Sequence, residues 1–165
     1  TQRPKHLEKI GLTRLRKTYA YGRLAFWQPS AKTVNKSNLE SLSHSIAIAN
    51  PRHAPYGVAA LAVLQKIGNK TLKRVRGSNV TQAFSFVQTG NVAAGLVALS
   101  QLRDTHKAPN TYWIIPTYFH QPIEQQAVVM IDAVDQTEDF LNFMDSGLAR
   151  QIMSQAGYDL TSDHD

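Results

Sequence analysis

From residue 46 to residue 99 the chain alternates short apolar runs with helix-period stretches, and each switch falls on turn-forming residues. Ile46 to Ala49 is an apolar strand ended by Asn50-Pro51. A helix from about Gly57 to Ile67 follows, with Val58, Leu61, Leu64 and Ile67 on its inward face and Gly68 as the stop. Leu72 to Val75 is a second strand, whose alternating bases suit an edge or one-sided position. After Gly77-Ser78-Asn79, the residues Val80, Ala83, Phe84 and Val87 fit one helical face, and Gly90 closes that helix. Gly95 to Leu99 reads as a buried strand. Strands alternating with helices of this length predict an α/β fold with a mainly parallel sheet.

The flanks extend the pattern. The opening stretch to Leu15 reads as one short helix, interrupted at Gly11 and leading into a basic turn. Arg23 to Trp27 reads as a buried strand stopped by Pro29. Residues 28–45 are polar and form a loop or a short helix around Leu39 and Leu42. Tyr112 to Ile115 and Ala127 to Ile131 read as two more strands. The chain closes with helices from Thr137 to Asp145 and from Leu148 to Ala156, the latter stopped by Gly157. At 165 residues and 18.4 kDa this is one domain or two small lobes, and 42% hydrophobic residues suffice for a core.

Several classes are excluded early. Zero cysteines remove disulfide scaffolds, zinc ribbons and thiol nucleophiles. No apolar run approaches the ~20 residues of a bilayer-spanning helix. Thr1-Gln2-Arg3-Pro4-Lys5 lacks the apolar stretch of a secretory signal, so the expectation is that any export signal has been removed or was never there. The six histidines show neither His-x-x-x-His spacing nor a carboxylate at zinc-site spacing, so no metal ligand is assigned. Gly90-Asn91-Val92-Ala93-Ala94-Gly95 has phosphate-loop glycine spacing, but Leu96-Val97 follows where Lys-Ser/Thr is required. No Gly-x-Ser-x-Gly elbow occurs. Asp132 with Asp135, or Glu138-Asp139, could be imagined as an acid/base pair; beside Phe140, Leu141 and Phe143 they read more simply as the wet face of an amphipathic helix. Asn69-Lys70-Thr71 and Asn79-Val80-Thr81 match glycosylation sequons, which are frequent by chance. The reading is of a protein that is not an enzyme.

Charge is unevenly placed. Residues 1–76 carry 15 of the 18 Lys/Arg and only Glu8 and Glu40 as acids, while the remainder carries ten acids. A basic half invites a nucleic-acid reading. The bases are nevertheless spread out and interleaved with apolar positions, the pattern of solvated faces.

Two strand-to-helix junctions have the composition of anion sites. One is Asn50-Pro51-Arg52-His53-Ala54-Pro55-Tyr56-Gly57, where Gly57 leaves the backbone approachable and Tyr56 can add a hydroxyl or a ring wall. The other is Gly77-Ser78-Asn79-Val80. The first N–H groups of a helix lack internal partners, and the dipole adds partial positive charge there. In open α/β sheets such junctions lie at the strand ends where ligands bind. Ordinary capping by Ser78 or Asn79 is the competing explanation.

At these residues the chain resembles a known family. Ile48 to Ala60, with its Asn50-Pro51-Arg52-His53-Ala54-Pro55-Tyr56-Gly57 core, is similar to the signature of periplasmic molybdate-binding proteins, the soluble receptors of molybdate ABC transporters. The likeness continues through Tyr21-Gly22-Arg23-Leu24, Ser78 to Ala83, Thr89-Gly90-Asn91, Gly95 to Gln101 and Gln126-Ala127-Val128. It implies a two-lobed α/β fold of the type II periplasmic-binding-protein kind, with mainly parallel sheets. Residues 1–22 and 123–165 would form part of the first lobe, and 23–122 the second. It also implies a receptor that holds molybdate or tungstate with neutral donors, needs no cofactor, works in the periplasm and delivers to a membrane permease. Onto this chain the resemblance carries Tyr56 and the backbone N–H of Val80 as ligand-binding positions. The position where some members place a tyrosine matches Ala98, which has no hydroxyl and is left out. The family's first lobe begins before anything present here, so the resemblance implies an N-terminally incomplete lobe with exposed apolar surface and a tendency to self-associate. The alternatives are a ligand-sensing domain of the same fold for a sulfate- or phosphate-like anion, and a basic nucleic-acid-binding module.

Overall fold

The computed structural model describes residues 2–69, 72–134 and 136–160. Asp135, His164 and the Lys70-Thr71 half of the first sequon therefore lie outside the described residues. In order, the elements are α1 (Gln2–Lys9), β1 (Thr13–Gly22), β2 (Leu24–Trp27), α2 (Lys36–Glu40), β3 (Ser45–Ala49), α3 (Pro55–Ile67), β4 (Lys73–Gly77), α4 (Val80–Gln88), β5 (Gly95–Ala98), α5 (Leu99–Asp104), β6 (Tyr112–Ile114), β7 (Ile123–Met130), α6 (Gln136–Phe143), α7 (Gly147–Gln155) and β8 (Asp159–Leu160). They divide into two compact units: unit 1 is Thr1–Gly22 with Glu124–Asp165, and unit 2 is Arg23–Ile123.

Unit 2 is built on a five-stranded sheet in the order β4-β3-β5-β2-β6. β3 runs parallel to β4 and to β5, while β2 is antiparallel to β5 and β6. The sheet is mixed, with its parallel part at β4-β3-β5. Alternation along the strands feeds two apolar clusters. Leu24, Phe26, Ile46, Ile48 and Leu96 join Ala59, Ala60, Val63 and Leu64 of α3. Ala25, Trp27, Ala47 and Val97 join Ala83, Phe84 and Val87 of α4. Trp27 and Phe84 stack with ring centroids 4.9 Å apart. Four-residue strands buried along their whole length, as β2 and β5 are, require this covering on both faces.

Unit 1 holds a three-stranded sheet in the order β7-β1-β8, with β1 antiparallel to β8. Here the structure departs from the sequence reading. The helix expected to reach Leu15 ends at Lys9, and Thr13–Gly22 is a ten-residue strand rather than a basic turn. Gly11 at φ 72 is the helix stop, its N–H bonding back to Glu8 and that of Leu12 to Leu7. The bases that suggested a turn are strand residues with ion-pair partners: Arg16 pairs locally with Glu8 of α1 at 2.8 Å, while Arg14 with Glu138 at 2.8 Å and Lys17 with Asp145 reach across the sequence.

Smaller corrections follow the same logic. In α3 the inward residues are Tyr56, Ala59, Ala60, Val63 and Leu64, whereas Val58 is 55% exposed. The helix starts two residues earlier than expected, at Pro55, and small alanines rather than the larger Val58 meet the sheet. Leu99 is not the end of a strand but the first residue of α5. β7 begins at Ile123, four residues earlier than expected, and the two-residue β8 was not anticipated.

Candidate functional site

Ala49 and Gly77 are register partners at the carboxyl ends of parallel neighbours β3 and β4. The N–H of Asn50 donates to the carbonyl of Gly77 at 2.7 Å, joining the two exits directly. Both strands therefore release their chains side by side; β4 leads into α4 after two residues and β3 into α3 after a five-residue turn.

In the first junction, Asn50 organises the turn. Its Oδ1 accepts from the Arg52 N–H at 3.1 Å, and its carbonyl accepts from the His53 and Ala54 N–H groups. Ala54 is the N-cap of α3 and makes no side-chain cap, and Pro55 at the first helical position has no N–H to satisfy. The structure corrects the reading of Gly57. Any Cβ there would fall 2.4 Å from the Ala49 carbonyl oxygen and 2.7 Å from the Pro51 nitrogen. The missing side chain thus seats α3 against the strand exit; it does not open the backbone to a ligand. Tyr56 is buried, 9% exposed, with its ring in the larger apolar cluster.

In the second junction the cap is shared. Asn79 Oδ1 accepts from the Gln82 N–H at 2.9 Å, and Gln82 Oε1 accepts from the Ser78 N–H at 2.6 Å. This occupies the third helical N–H and leaves those of Val80 and Thr81, the first two of α4, without an acceptor among the described residues. Capping and anion binding are therefore compatible here, because the cap takes one donor and leaves two. Gly77 is again a seat, since a Cβ would lie 2.7 Å from the Ala83 nitrogen.

Although α4 packs mainly against the Trp27 cluster, the Val80 side chain packs on the other one, the cluster containing Tyr56. The structure thus places both sequence-derived residues against one cluster at one end of one sheet. It adds Thr81, which the sequence reading passed over; its N–H is open, and its hydroxyl is 3.3 Å from Gln101 Nε2. The signal was available, since the first four N–H groups of a helix lack intrahelical acceptors and a single Asn cap satisfies only one of them. At the third parallel strand, Ala98 caps α5 with its own N–H directed at Gln101 Oε1, 3.4 Å away, and Leu99 N–H bonds the Arg23 carbonyl. An open depression of about 550 Å³ runs along α4 from Ser78 and Asn79 to Thr89 and Asn91, lined largely by uncharged polar groups. Glu138, once a conceivable acid/base residue, is instead the partner of Arg14.

Helix starts at the adjacent carboxyl ends of parallel strands, with uncharged open donors, are the place where open α/β sheets take small ligands. Residues 1–159 match the bacterial extracellular solute-binding protein family, and the chain belongs to it. The chain is 35% identical over 148 residues to the molybdate-binding protein ModA of Rhodobacter capsulatus, covering 86% of this chain and 58% of that protein. It is 34% identical over 168 residues to that of Azotobacter vinelandii, covering 95% of this chain and 67% of that one. The solved Azotobacter vinelandii periplasmic molybdate-binding protein superposes with a TM-score of 0.86 at 31% identity, over 98% of this chain and 75% of its own. The chain thus spans between about half and two thirds of the length of these curated relatives. The α/β periplasmic-binding-protein class read from the sequence holds, with mixed sheets.

Proposed function

We propose that this chain is the ligand-capturing part of a receptor for tetrahedral oxyanions, molybdate or tungstate, serving an ABC importer outside the cytoplasmic membrane. The observation that carries the reading is the pair of open N–H groups at Val80 and Thr81, beside the α3 start that bears Tyr56. Its support is the identity to molybdate-binding relatives across most of the chain. Val80 contributes its backbone N–H, and Tyr56 contributes the wall of the first junction. Hydrogen bonds to a charged group contribute about 1.5–3 kcal/mol each, so unit 2 supplies a directional grip without a counter-charge. Residues 1–22 with 123–165 and residues 23–122 are the two lobes of this reading, and a membrane permease is its partner. No cofactor enters; molybdenum arrives only inside the anion.

The test is calorimetry and thermal unfolding of the 165-residue chain with sodium molybdate, tungstate, sulfate and phosphate. Molybdate and tungstate should raise the melting temperature by mass action and sulfate far less. Equal stabilisation by sulfate would transfer the reading to the broader anion class. Val80→Pro removes the N–H at a helix position that tolerates proline, and it should weaken molybdate at least about tenfold. Val80→Ala keeps the N–H and should leave affinity nearly unchanged. A folded proline variant that binds like wild type would remove Val80 from the site.

A further inference from the structure

Unit 2 carries eleven Lys/Arg against two acids, Glu40 and Asp104, a formal charge of +9, while unit 1 carries seven against ten, or −3. Within unit 2 the position of the bases is more telling than their number. β4 is a free edge of the sheet, and Arg74 and Arg76 pair in register with Ile46 and Ile48 of β3. Register partners share a sheet face. Ile46 and Ile48 belong to the cluster that contains Tyr56 and receives Val80, so the two arginines stand on that side of the sheet. Arg76 immediately precedes Gly77, whose carbonyl holds the other junction. Arg52 lies in that junction, two residues after Asn50. All three arginines are exposed, and none has an ion pair among the described residues. Of the two acids, Glu40 is already paired with Lys36 at 2.9 Å.

We propose that Arg52, Arg74 and Arg76 steer the dianion to the two junctions, setting the rate of capture without contacting the bound ligand. This rests on the oxyanion reading above. Local donors and long-range charge do different jobs. Neutral N–H groups at close range fix geometry, whereas unpaired cations on one rim raise the local anion concentration over about a Debye length, ~8 Å at physiological salt. A field of this kind acts on the association rate and fades with ionic strength, while dissociation depends on the short-range donors.

The experiment is stopped-flow mixing of sodium molybdate with the whole chain, read by the fluorescence of Trp27 and Trp113 or by a competing coloured oxyanion, across a salt series. Wild type is compared with Arg52→Gln/Arg74→Gln/Arg76→Gln and with Lys32→Gln. Lys32 follows β2, whose Trp27 end pairs with Gly95 at the amino end of β5, so it lies toward the opposite end of the sheet. The triple variant should lose about tenfold in association rate at low salt, converge on wild type at high salt and keep its dissociation rate within about twofold. Lys32→Gln should behave as wild type. A loss carried by dissociation would make the arginines direct ligands and overturn steering. So would an unchanged association rate, or a fall in the Lys32 control matching the triple variant per charge removed. Wild type failing to bind molybdate at equilibrium would instead overturn the oxyanion reading, and steering with it.

Discussion

The two units spend their apolar residues in opposite ways. Both multi-residue apolar clusters lie wholly in unit 2, and the exposed large apolar residues there are Val58 and Tyr118. In unit 1 the buried apolar residues among those described are Ala20, Val129, Leu141 and Ala149. Ile10, Leu12, Leu15, Ile131, Val134, Phe140, Phe143, Leu148 and Ile152 are exposed. Its terminal helices each carry two stripes. In α6 the inward set is Thr137 and Leu141, continued by Met144 just past the helix, and the outward set Phe140 and Phe143. In α7 the inward set is Ala149 and Met153, continued by the C-cap Ala156, and the outward set Leu148 and Ile152. Ion pairs such as Lys5–Glu124, Arg14–Glu138, Arg16–Glu8 and Lys17–Asp145 tie segments of unit 1 together, and partly exposed pairs of this kind contribute about 0–1 kcal/mol each. Unit 2 is a finished core, whereas unit 1 has apolar surface left to cover.

The contrast can be broken most sharply at an aromatic residue on each side. Phe84→Ala removes a 5%-exposed ring stacked on Trp27 and should cost about 3–5 kcal/mol in urea unfolding, with loss of the near-ultraviolet tryptophan signal. A cost below about 1 kcal/mol would mean that the cluster is not tightly packed. Next in size is Gly77→Ala. The new methyl would meet the Ala83 backbone nitrogen at 2.7 Å, and backbone cannot swing aside as a side chain can. A loss of about 1–3 kcal/mol is expected, and a neutral result would show that the α4 start can shift.

In unit 1, Phe140→Ser with Ile152→Ser should change stability by no more than about 0.5 kcal/mol per site, because both residues face outward. The effect appears in association instead. Wild type should bind a hydrophobic dye and sediment faster as concentration rises, and the double variant should do less of both. A wild type that stays monomeric and dye-free at all concentrations would remove the difference between the units. The smallest effect is at Tyr19 of β1, whose pKa lies above its usual 10.0 because burial, and then the charge of Tyr158, disfavours the phenolate. A raised value favours the neutral form in the fold, so its contribution is complete below pH 10.0 and lost as pH climbs toward the raised value. Tyr19→Phe should therefore flatten the alkaline decline in melting temperature. An unchanged decline would place its cause at other groups.

Legibility followed the same divide. In unit 2, β3 and β5 were legible because strands covered on both faces are near-continuous apolar runs, and glycine punctuation with helical or alternating periodicity marked α4 and the edge strand β4. In unit 1, β1 was hidden because its strand character depends on partners more than a hundred residues away, such as Asp145 for Lys17. Local sequence contains no trace of such a pairing. β8 is too short to leave a pattern. At the site, the residue types of both junctions could be read directly, but their adjacency could not: it comes from the β3–β4 register and the Asn50–Gly77 bond. The role of Gly57 was misread for the same reason, since the atoms its side chain would strike belong to the strand exit as folded.

The arginines of β4 have a second consequence that is independent of any ligand. A free sheet edge invites another chain to add a strand, and charged residues along it oppose that addition. β4 presents Lys73, Arg74 and Arg76 at one margin of the five-stranded sheet, and the other margin, β6, is only three residues long. Backbone templating is thus discouraged on both sides of unit 2. Strand addition to this chain should therefore begin at unit 1, whose margin strand β7 is eight residues long and carries a single charged residue, Glu124.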